Sequence, residues 1–302
     1  MTLQPRPYRG LDDLQKMKAL IVEGRKVFPH SGYPHIGDLD WWLYYDSFVV
    51  HEPFEEIVTI WEDGDQVMAW GIVQMPNAYD LVLHPSLRNT ADEMQLHAQM
   101  ESLIAALVKD TDKPQGAFVW ADETGRRKSL EKRGYVGEDS LVYFTQPLDR
   151  ALPTPLLPEG FSFLDQMQPE WADRRADVHL NAFHPSRMTA EAYAHFMTAP
   201  NYDPTLDVVV AAPDGTFAAF AMVWIDPQTC IGSFEPVGTR DGMQRKGLGK
   251  AALLEGMRRM KARGMTVAIV LTHAHNAGNI AFYQAAGFTP TNMIMKYEKK
   301  GS

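Results

Sequence analysis

The C-terminal half of the chain alternates between short apolar runs and longer stretches with helical periodicity. The turn residues Asp214 and Gly215 separate two apolar runs, and this arrangement predicts an antiparallel hairpin. Further along, apolar residues recur at helical spacing until Gly264, which predicts the end of that helix. The predicted elements are strands at 207–212 and 217–225, a helix through Leu253, Met257 and Met260, a strand at 265–272 and a helix at 279–286.

The N-terminal half repeats much of this pattern. Residues 59–64 resemble 210–215 with an offset of 151, and 130–135 resemble 283–288 with an offset of 153. Such nearly constant offsets predict two copies of one fold. The predicted fold class is α/β (α+β), with two tandem domains that are each a mixed, mostly antiparallel sheet flanked by helices. The predicted divisions are 1–147 for the first domain, 148–158 for a proline-rich linker and 159–302 for the second domain.

Composition narrows the class of protein. At 302 residues, the length suggests about two domains, and a hydrophobic content of 45% supports packed cores. The absence of a long apolar stretch, of a signal pattern and of any cysteine besides Cys230 predicts a cytoplasmic protein without a membrane span or internal disulfide. A net charge of −9 argues against nucleic acid as a general partner.

The segment 244–250, Gln-Arg-Lys-Gly-Leu-Gly-Lys, runs into the predicted helix. The first turn of a helix leaves backbone N–H groups without intrahelical partners, and the helix dipole adds positive potential there. Gly247 and Gly249 carry no Cβ that would hold a ligand away from the backbone. The segment therefore predicts a binding site for a diphosphate. The basic residues around the turn are Arg240, Arg245, Lys246 and Lys250.

Two other phosphate motifs fit this turn less well. A P-loop needs a glycine, four further residues and then Gly-Lys-Ser/Thr. Gly242 and Gly247 have that spacing, but Leu248 stands where the lysine is required. A dinucleotide fingerprint matches residues 247–252, but it should follow a strand directly and precede a ribose-binding acid. Several polar residues precede Gly247, and 265–275 contains no acid. Both interpretations are weaker than a third one.

The third interpretation is a resemblance to the GNAT superfamily of N-acetyltransferases. Gln-x-x-Gly-x-Gly at 244–249 resembles the acyl-CoA pyrophosphate loop of that superfamily, and 232–239 resembles its fourth strand. Residues 276–288 resemble its Asn…Tyr…Gly-Phe signature. Two motifs in the correct order are more specific than one glycine-rich turn, and the resemblance extends over about 158–298. The departures are Gln244, where Arg is common, and Asp241, where Pro is common.

The resemblance implies acetyl-CoA as cosubstrate and no metal. In GNAT enzymes the fourth and fifth strands part, and freed backbone N–H groups receive the thioester carbonyl. Tyr283 would act as the general acid, because a phenol with a pKa near 10 is protonated at neutral pH. Asn276 would bond the backbone or the pantetheine arm. The implied acetyl-CoA-binding residues are Val237, Gly238, Thr239, Gln244, Arg245, Lys246, Gly247, Leu248, Gly249, Lys250, Asn276 and Asn279.

Glu235 is the candidate general base. Strand alternation predicts that its side chain shares a face with Val237 and Thr239. A cationic amine must lose a proton before it attacks, and this carboxylate could accept the proton directly or through water. The alternatives are that Glu235 only orients the amine or caps a strand. Acceptor-lining residues are expected within 181–206, with contributions from the N-terminal half.

The N-terminal copy resembles a degenerate GNAT domain. When Arg88 is aligned with the first residue of the C-terminal loop, Ala91 and Glu93 replace its two glycines. A carboxylate there favours the helix but repels a diphosphate, by roughly 4 kcal/mol for unit charges 4 Å apart at an effective dielectric of about 20. Leu130 also stands where the C-terminal copy has Tyr283. We therefore expect acetyl-CoA in the C-terminal half only.

The function predicted from the resemblance is transfer of an acetyl group from acetyl-CoA to a primary amine of a small molecule, by direct attack. The alternative is a non-catalytic acyl-CoA-binding or sensor protein that has retained the loop and lost turnover. The tandem arrangement also resembles that of mycothiol synthase, which remains a possible specific form of the acetyltransferase.

Overall fold

The structure is a computed structural model and describes residues 3–51, 53–74, 78–107 and 114–299. The strands are β1 Gln4–Pro7, β2 Val58–Asp63, β3 Gln66–Gln74, β4 Ala78–Leu83, β5 Gln115–Trp120, β6 Val136–Pro147, β7 Ser162–Phe163, β8 Asp207–Ala211, β9 Phe217–Asp226, β10 Ile231–Thr239, β11 Val267–His273 and β12 Thr289–Lys299. The α-helices are α1 Leu11–Val27, α2 Ile36–Trp41, α3 Ser47–Val50, α4 Phe54–Ile57, α5 Ala91–Leu107, α6 Thr124–Lys132, α7 Ala172–Ala182, α8 Ala190–Phe196, α9 Leu248–Ala262 and α10 Ala277–Ala285.

The order of elements in the N-terminal half recurs in the C-terminal half. Strands β4 and β5 are parallel in the first half, as are β10 and β11 in the second, and the other described pairs are antiparallel. The hairpin of β8 and β9 forms as expected, and α9 ends just before Gly264. The predicted mixed, mostly antiparallel class is therefore confirmed.

The two expected sheets are joined into one. The described strands form a twelve-stranded sheet in the order β1-β2-β3-β4-β5-β12-β6-β11-β10-β9-β8-β7. The last strand of each half lies in the other half, because β6 pairs with β11 and β12 pairs with β5. This exchange pairs both edges of β6 and β12 and covers edges of β5 and β11 that would otherwise be exposed. Residues 148–158 carry no described helix or strand; the domain divisions remain a prediction.

Helices of the N-terminal half pack directly on the C-terminal strands. The absence of a side chain at Gly37 lets α2 approach Trp224 of β9, because a Cβ there would lie 2.3 Å from the indole Cγ. Next to it, the His35 ring bonds the carbonyl of Ile231 at 3.2 Å. A π-helical segment, Trp42–Asp46, continues α2, and the Trp41 ring meets Phe196 edge-on at 5.0 Å. These contacts enclose a space between the two halves.

Candidate active site

A cavity of about 440 Å³ lies between the two halves. This volume falls within the usual range for small-molecule sites, roughly 300–1,000 Å³. Four residues predicted for catalysis or acetyl-CoA binding line it, namely Glu235, Val237, Asn279 and Tyr283. The acceptor-lining residues expected within 181–206 are represented among the described lining residues by Phe183 alone. Helix α2 and the π-helical segment, with β4 and α6, form the opposite wall.

The strands β10 and β11 part at the cavity. Their parallel pairing begins at Ile231 with Val267 and ends at Phe234 with Val270. On its other side, β10 resumes antiparallel pairing with β9 at Val237 and continues to Thr239. The β11-facing backbone of 237–239 is thus released from the ladder, in the arrangement that the resemblance implies for a thioester carbonyl.

The register of β10 changes where Glu235 lies. A bulge occurs between Phe234 and Val237, so plain strand alternation does not describe this segment. Glu235 and Val237 both line the cavity, as expected, whereas Thr239 is not among the described lining residues. The indole Nε1 of Trp224 donates to the carbonyl oxygen of Glu235 at 2.9 Å. The bulge and this hydrogen bond position the Glu235 carboxylate at the cavity wall.

The carboxyl group of Glu235 holds its proton more tightly than an ordinary glutamate. Burial, with repulsion from Asp38 and Asp46, raises its pKa to about 8. Desolvation disfavours the charged form of an acid, and neighbouring negative charges act in the same direction. A pKa near neutrality suits a group that must accept a proton from an ammonium and later release it.

Tyr283 lies on α10 in the cavity wall and is 6% exposed. Its ring packs against Phe144 at 5.9 Å and against Phe288 at 6.0 Å, which holds it between α10 and the sheet. Burial, together with the charge of Glu235, raises the pKa of the phenol above its ordinary value. The hydroxyl is therefore a proton donor at neutral pH.

The segment 244–247 is exposed, and α9 begins directly after it. Arg245 and Gly247 both have left-handed backbone, with φ of 65° and 81°. Left-handed residues in a turn can direct neighbouring N–H groups toward one point and so contribute to an anion-binding concavity. The first turn of α9 adds its own free N–H groups. The backbone geometry therefore fits a diphosphate.

Two basic or glycine residues at this loop make packing and hydrogen-bonding contacts that the sequence did not predict. A Cβ at position 249 would lie 2.7 Å from Thr239 Oγ1 and 3.4 Å from Phe282 Cζ, so glycine there lets α9 pack against β10 and α10. Arg240 donates to the carbonyl of Phe217 at 2.8 Å and pairs with Asp177. Its charge is therefore directed away from the loop.

The two asparagines of the second motif differ in their surroundings. The Asn276 side chain accepts a hydrogen bond from the backbone N–H of Asn279 at 2.9 Å, which caps α10. The Asn279 side chain donates to Thr272 Oγ1 at 3.2 Å and lines the cavity. Capping by Asn276 fixes the start of the helix that carries Tyr283.

The corresponding loop of the N-terminal half is filled by its own carboxylate. Glu93 is 3% exposed and accepts a hydrogen bond from the backbone N–H of Asn89 at 2.5 Å. Asn89 has a φ of 61°, which matches the left-handed Arg245 of the C-terminal loop. Leu130 is buried in the hydrophobic core, 1% exposed. In the N-terminal loop, the backbone N–H of Asn89 is therefore used by the Glu93 carboxylate of the same half.

Sequence reasoning missed the charged residues of the opposite wall. Burial raises the pKa of Asp38 to about 6 and that of Asp46 to about 7, and burial with repulsion from Asp38 raises the pKa of Asp80 to about 7. Arg126 of α6 also lines this wall. One signal was present, since Asp80 interrupts the apolar run of β4. The others come from separate elements that only the fold brings together.

Within the described parts of the chain, no cluster of three or more His, Cys, Asp or Glu side chains could hold a metal ion. Among the same residues, no helix combines the length and the apolar character required to cross a membrane.

Comparisons with known proteins agree with this geometry. Residues 166–288 match the family model described as the acetyltransferase (GNAT) family. The mycothiol acetyltransferase of Thermobispora bispora is 26% identical over 252 residues, which cover 78% of this chain and 81% of that protein. The mycothiol acetyltransferase of Streptomyces coelicolor is 26% identical over 227 residues, which cover 74% and 71%.

Solved structures share the fold over nearly the whole chain. A tandem GNAT protein from the clavulanic acid biosynthesis pathway superposes with a TM-score of 0.70 at 16% identity, covering 100% of this chain and 99% of that one. A GCN5-related N-acetyltransferase from Sphaerobacter thermophilus has a TM-score of 0.68 at 17% identity, covering 99% and 95%. Residues 166–288 therefore form a domain of the GNAT family of acetyltransferases, and the chain as a whole shares the fold of a tandem GNAT protein.

Proposed function

We propose that the protein transfers the acetyl group of acetyl-CoA to a primary amine of a small molecule, and that the C-terminal half, 159–302, carries the chemistry. The observation that carries this proposal is the convergence of three features on one cavity: the parting of β10 and β11, the Glu235 carboxyl group and the Tyr283 hydroxyl. The loop at 244–250 supplies the diphosphate site. Asn276 caps α10, the helix that carries Tyr283, and Asn279 bonds Thr272 of β11.

The proposed reaction balances its protons between two groups. The ammonium form of the acceptor loses a proton to Glu235, and the neutral amine attacks the thioester carbonyl carbon. Backbone N–H groups of 237–239 stabilise the oxyanion that forms. The carbon–sulfur bond then breaks, and Tyr283 donates its phenolic proton to the departing thiolate. As the amide forms, its nitrogen loses a second proton to the Tyr283 phenolate, and Glu235 releases the first proton to solvent, so the products are an amide, coenzyme A and one proton.

The acceptor is proposed to occupy the cavity between the halves. Asp38, Asp46 and Asp80 line its wall together with Glu235. An ammonium group is attracted to such an acidic wall, because charge interactions are strong where water is partly excluded. A substrate bound in this cavity would meet all of these groups.

The test measures release of free thiol. Protein, acetyl-CoA and each member of a panel of small primary amines are mixed, and coenzyme A is quantified with a thiol reagent. We expect release that depends on both the amine and the protein and is lost in the double variant Glu235→Gln, Tyr283→Phe. Calorimetric binding of acetyl-CoA without thiol release from any amine would overturn the proposal and favour the alternative, a non-catalytic acyl-CoA-binding or sensor protein.

A more specific candidate is the activity of the relatives, mycothiol acetylation. The observation that favours it is coverage, because the T. bispora protein aligns with 78% of this chain and therefore with part of both halves. Comparing kcat/KM for the deacetylated mycothiol precursor with that for simple amines tests it. Equal values for both would argue against this specific activity.

A further inference from the structure

Two carboxyl groups of the cavity have no partner in the protein. Glu235 and Asp46 both line the cavity. Within the described parts of the chain, neither side chain makes an ion pair or accepts a hydrogen bond, because Trp224 donates to the backbone carbonyl of Glu235 and not to its carboxylate. A charge held away from water costs free energy unless it is paired. Cations bound in the cavity would therefore stabilise both carboxylates.

Both carboxylates are accessible from the cavity. Each of the two residues is partly exposed rather than buried. Side-chain atoms that lack both a partner and accessible surface occur elsewhere in the described chain, for example Asp40 Oδ2 and two guanidinium nitrogens of Arg126, but not at Glu235 or Asp46. The unpartnered oxygens of these two carboxylates therefore retain accessible surface, and a ligand in the cavity can reach them.

The other carboxylates of the cavity have an arginine nearby. Asp38 and Asp80 line the cavity, as do Arg25 and Arg126. The charge of Arg25 opposes the rise in the pKa of Asp38, and the charge of Arg126 opposes the rise in the pKa of Asp80. No described arginine or lysine acts in this way on either of the two unpartnered carboxylates. The uncompensated negative charge of the cavity is therefore concentrated on that pair.

A third polar group independently indicates that a ligand binds here. Tyr283 is 6% exposed, and its hydroxyl has no hydrogen-bond partner among the described residues but retains accessible surface in the cavity. The charge of Glu235 contributes to the raised pKa of this phenol, so the two groups lie near each other. Trp41, Trp42 and Phe183 line the same cavity. Aromatic faces attract ammonium groups and provide apolar surface for an alkyl chain.

We propose that the acceptor is a diamine, whose reacting amine lies at Glu235 while a second ammonium group, separated from it by a short alkyl spacer, binds the Asp46 carboxylate. This inference rests on the proposed acetyl transfer and names its substrate class. The second ammonium keeps its proton and takes no part in the reaction. It supplies the positive partner that Asp46 lacks, and the spacer packs against the aromatic side chains. Two carboxylates without cations discriminate against an amine that carries a single charge.

The experiment measures kcat/KM for pairs of amines with equal numbers of heavy atoms: 1,3-diaminopropane with butylamine, 1,4-diaminobutane with pentylamine, and 1,5-diaminopentane with hexylamine. At pH 8 the Asp46 carboxyl, whose pKa is about 7, is mostly ionised, and alkyl ammonium groups are still protonated. For at least one spacer length we expect kcat/KM to be at least about tenfold higher for the diamine. This exceeds the statistical advantage of two equivalent amines.

The neutral analogue 4-amino-1-butanol separates charge from hydrogen bonding. Its hydroxyl can bond a carboxylate but carries no charge, so its kcat/KM should lie close to that of pentylamine and below that of 1,4-diaminobutane. This comparison uses the wild-type protein alone. It therefore remains decisive if a variant of the cavity wall does not fold.

Three variants test the role of Asp46. Asp46→Asn keeps the size of the side chain and should reduce the ratio of kcat/KM values in each pair to the statistical advantage. The ratio is the readout because a change in the ionisation of Glu235 affects both amines of a pair equally. Asp80→Asn is the matched control and should keep the ratio, since the lost carboxylate has Arg126 nearby. Asp65→Asn, in an exposed turn, controls for net charge and should also keep it.

The outcomes separate this assignment from the proposed function. Ratios no greater than the statistical advantage in every wild-type pair overturn the diamine class, as does an amino alcohol that is used as well as the diamine. A ratio that survives Asp46→Asn, or that falls equally in Asp80→Asn, overturns the role of Asp46. The acetyltransferase proposal survives these results, because the simple amines still release thiol. Absence of thiol release with every amine overturns the proposed function and this assignment with it.

Discussion

Replacing Glu235 by Gln tests the proton transfer most directly. The change removes the proton acceptor and keeps the size of the side chain, so the cavity between the halves is retained. Burial and the charges of Asp38 and Asp46 place the pKa of Glu235 at about 8. This pKa lies below the value of about 10 for a typical alkyl ammonium. The separation between the two pKa values makes the effect of the variant depend on pH.

The expected magnitudes follow from these two pKa values. With a pKa of about 8, roughly a tenth of Glu235 is ionised at pH 7 and roughly nine tenths at pH 9. The kcat/KM of the wild type should therefore rise to a bend near pH 8. The variant relies on free amine, whose fraction grows about tenfold per pH unit up to about pH 10. A loss of roughly 10² to 10⁴ at pH 7 should thus shrink about tenfold per unit above pH 8.

The assay follows thiol release at low amine concentration from pH 6 to 10, so that kcat/KM is measured for both proteins. Asp46→Asn provides a second arm, because it removes one of the charges that raise the pKa of Glu235. In that variant the bend should move to lower pH. Asp38→Asn is less suitable, since Asp38 also accepts the backbone N–H of His35 at 2.7 Å and caps α2.

Two results would refute the reasoning. A constant loss in Glu235→Gln from pH 7 to 10 would show that the residue positions the amine and does not accept its proton. A bend that stays at the same pH in Asp46→Asn would show that the titrating group is not Glu235.

Three further predictions concern the phenol, the cosubstrate and the exchanged strands. Tyr283→Phe should turn over at least about tenfold more slowly with acetyl-CoA affinity within a few-fold of wild type; unchanged turnover would remove it from the mechanism. Calorimetry should find one acetyl-CoA per chain, and Gly249→Glu should weaken acetyl-CoA binding at least about tenfold. Gly249→Ala measures the effect of steric crowding alone, and Glu93→Gly should change neither the stoichiometry nor the affinity. Two equivalent sites would contradict the assignment to the C-terminal half. Residues 159–302 expressed alone should lack cooperative unfolding, because β11 loses β6 and β12 loses both of its neighbours; a sharp thermal transition in that fragment would contradict this.

Local features of the fold were predictable because they depend on neighbours in the chain. The helix that ends before Gly264 and the hairpin at Asp214 and Gly215 require only helical spacing and turn chemistry. The repeat between the halves was also visible. The exchange of β6 and β12 was not, because pairing within one half and pairing across halves satisfy the same strand pattern. That choice depends on which edges meet in the folded chain.

The candidate site likewise contains residues that the sequence identified and residues that only the folded structure revealed. The sequence by itself identified the loop at 244–250, Glu235 and Tyr283 as candidate site residues, because each lies in a short contiguous motif, at 244–249, 232–239 and 276–288. Only the tertiary structure placed Asp38, Asp46 and Arg126 against them, and only it set the pKa of Glu235. The physical reason is that burial and through-space charge depend on distances between elements far apart in the chain, and no local spacing encodes those distances.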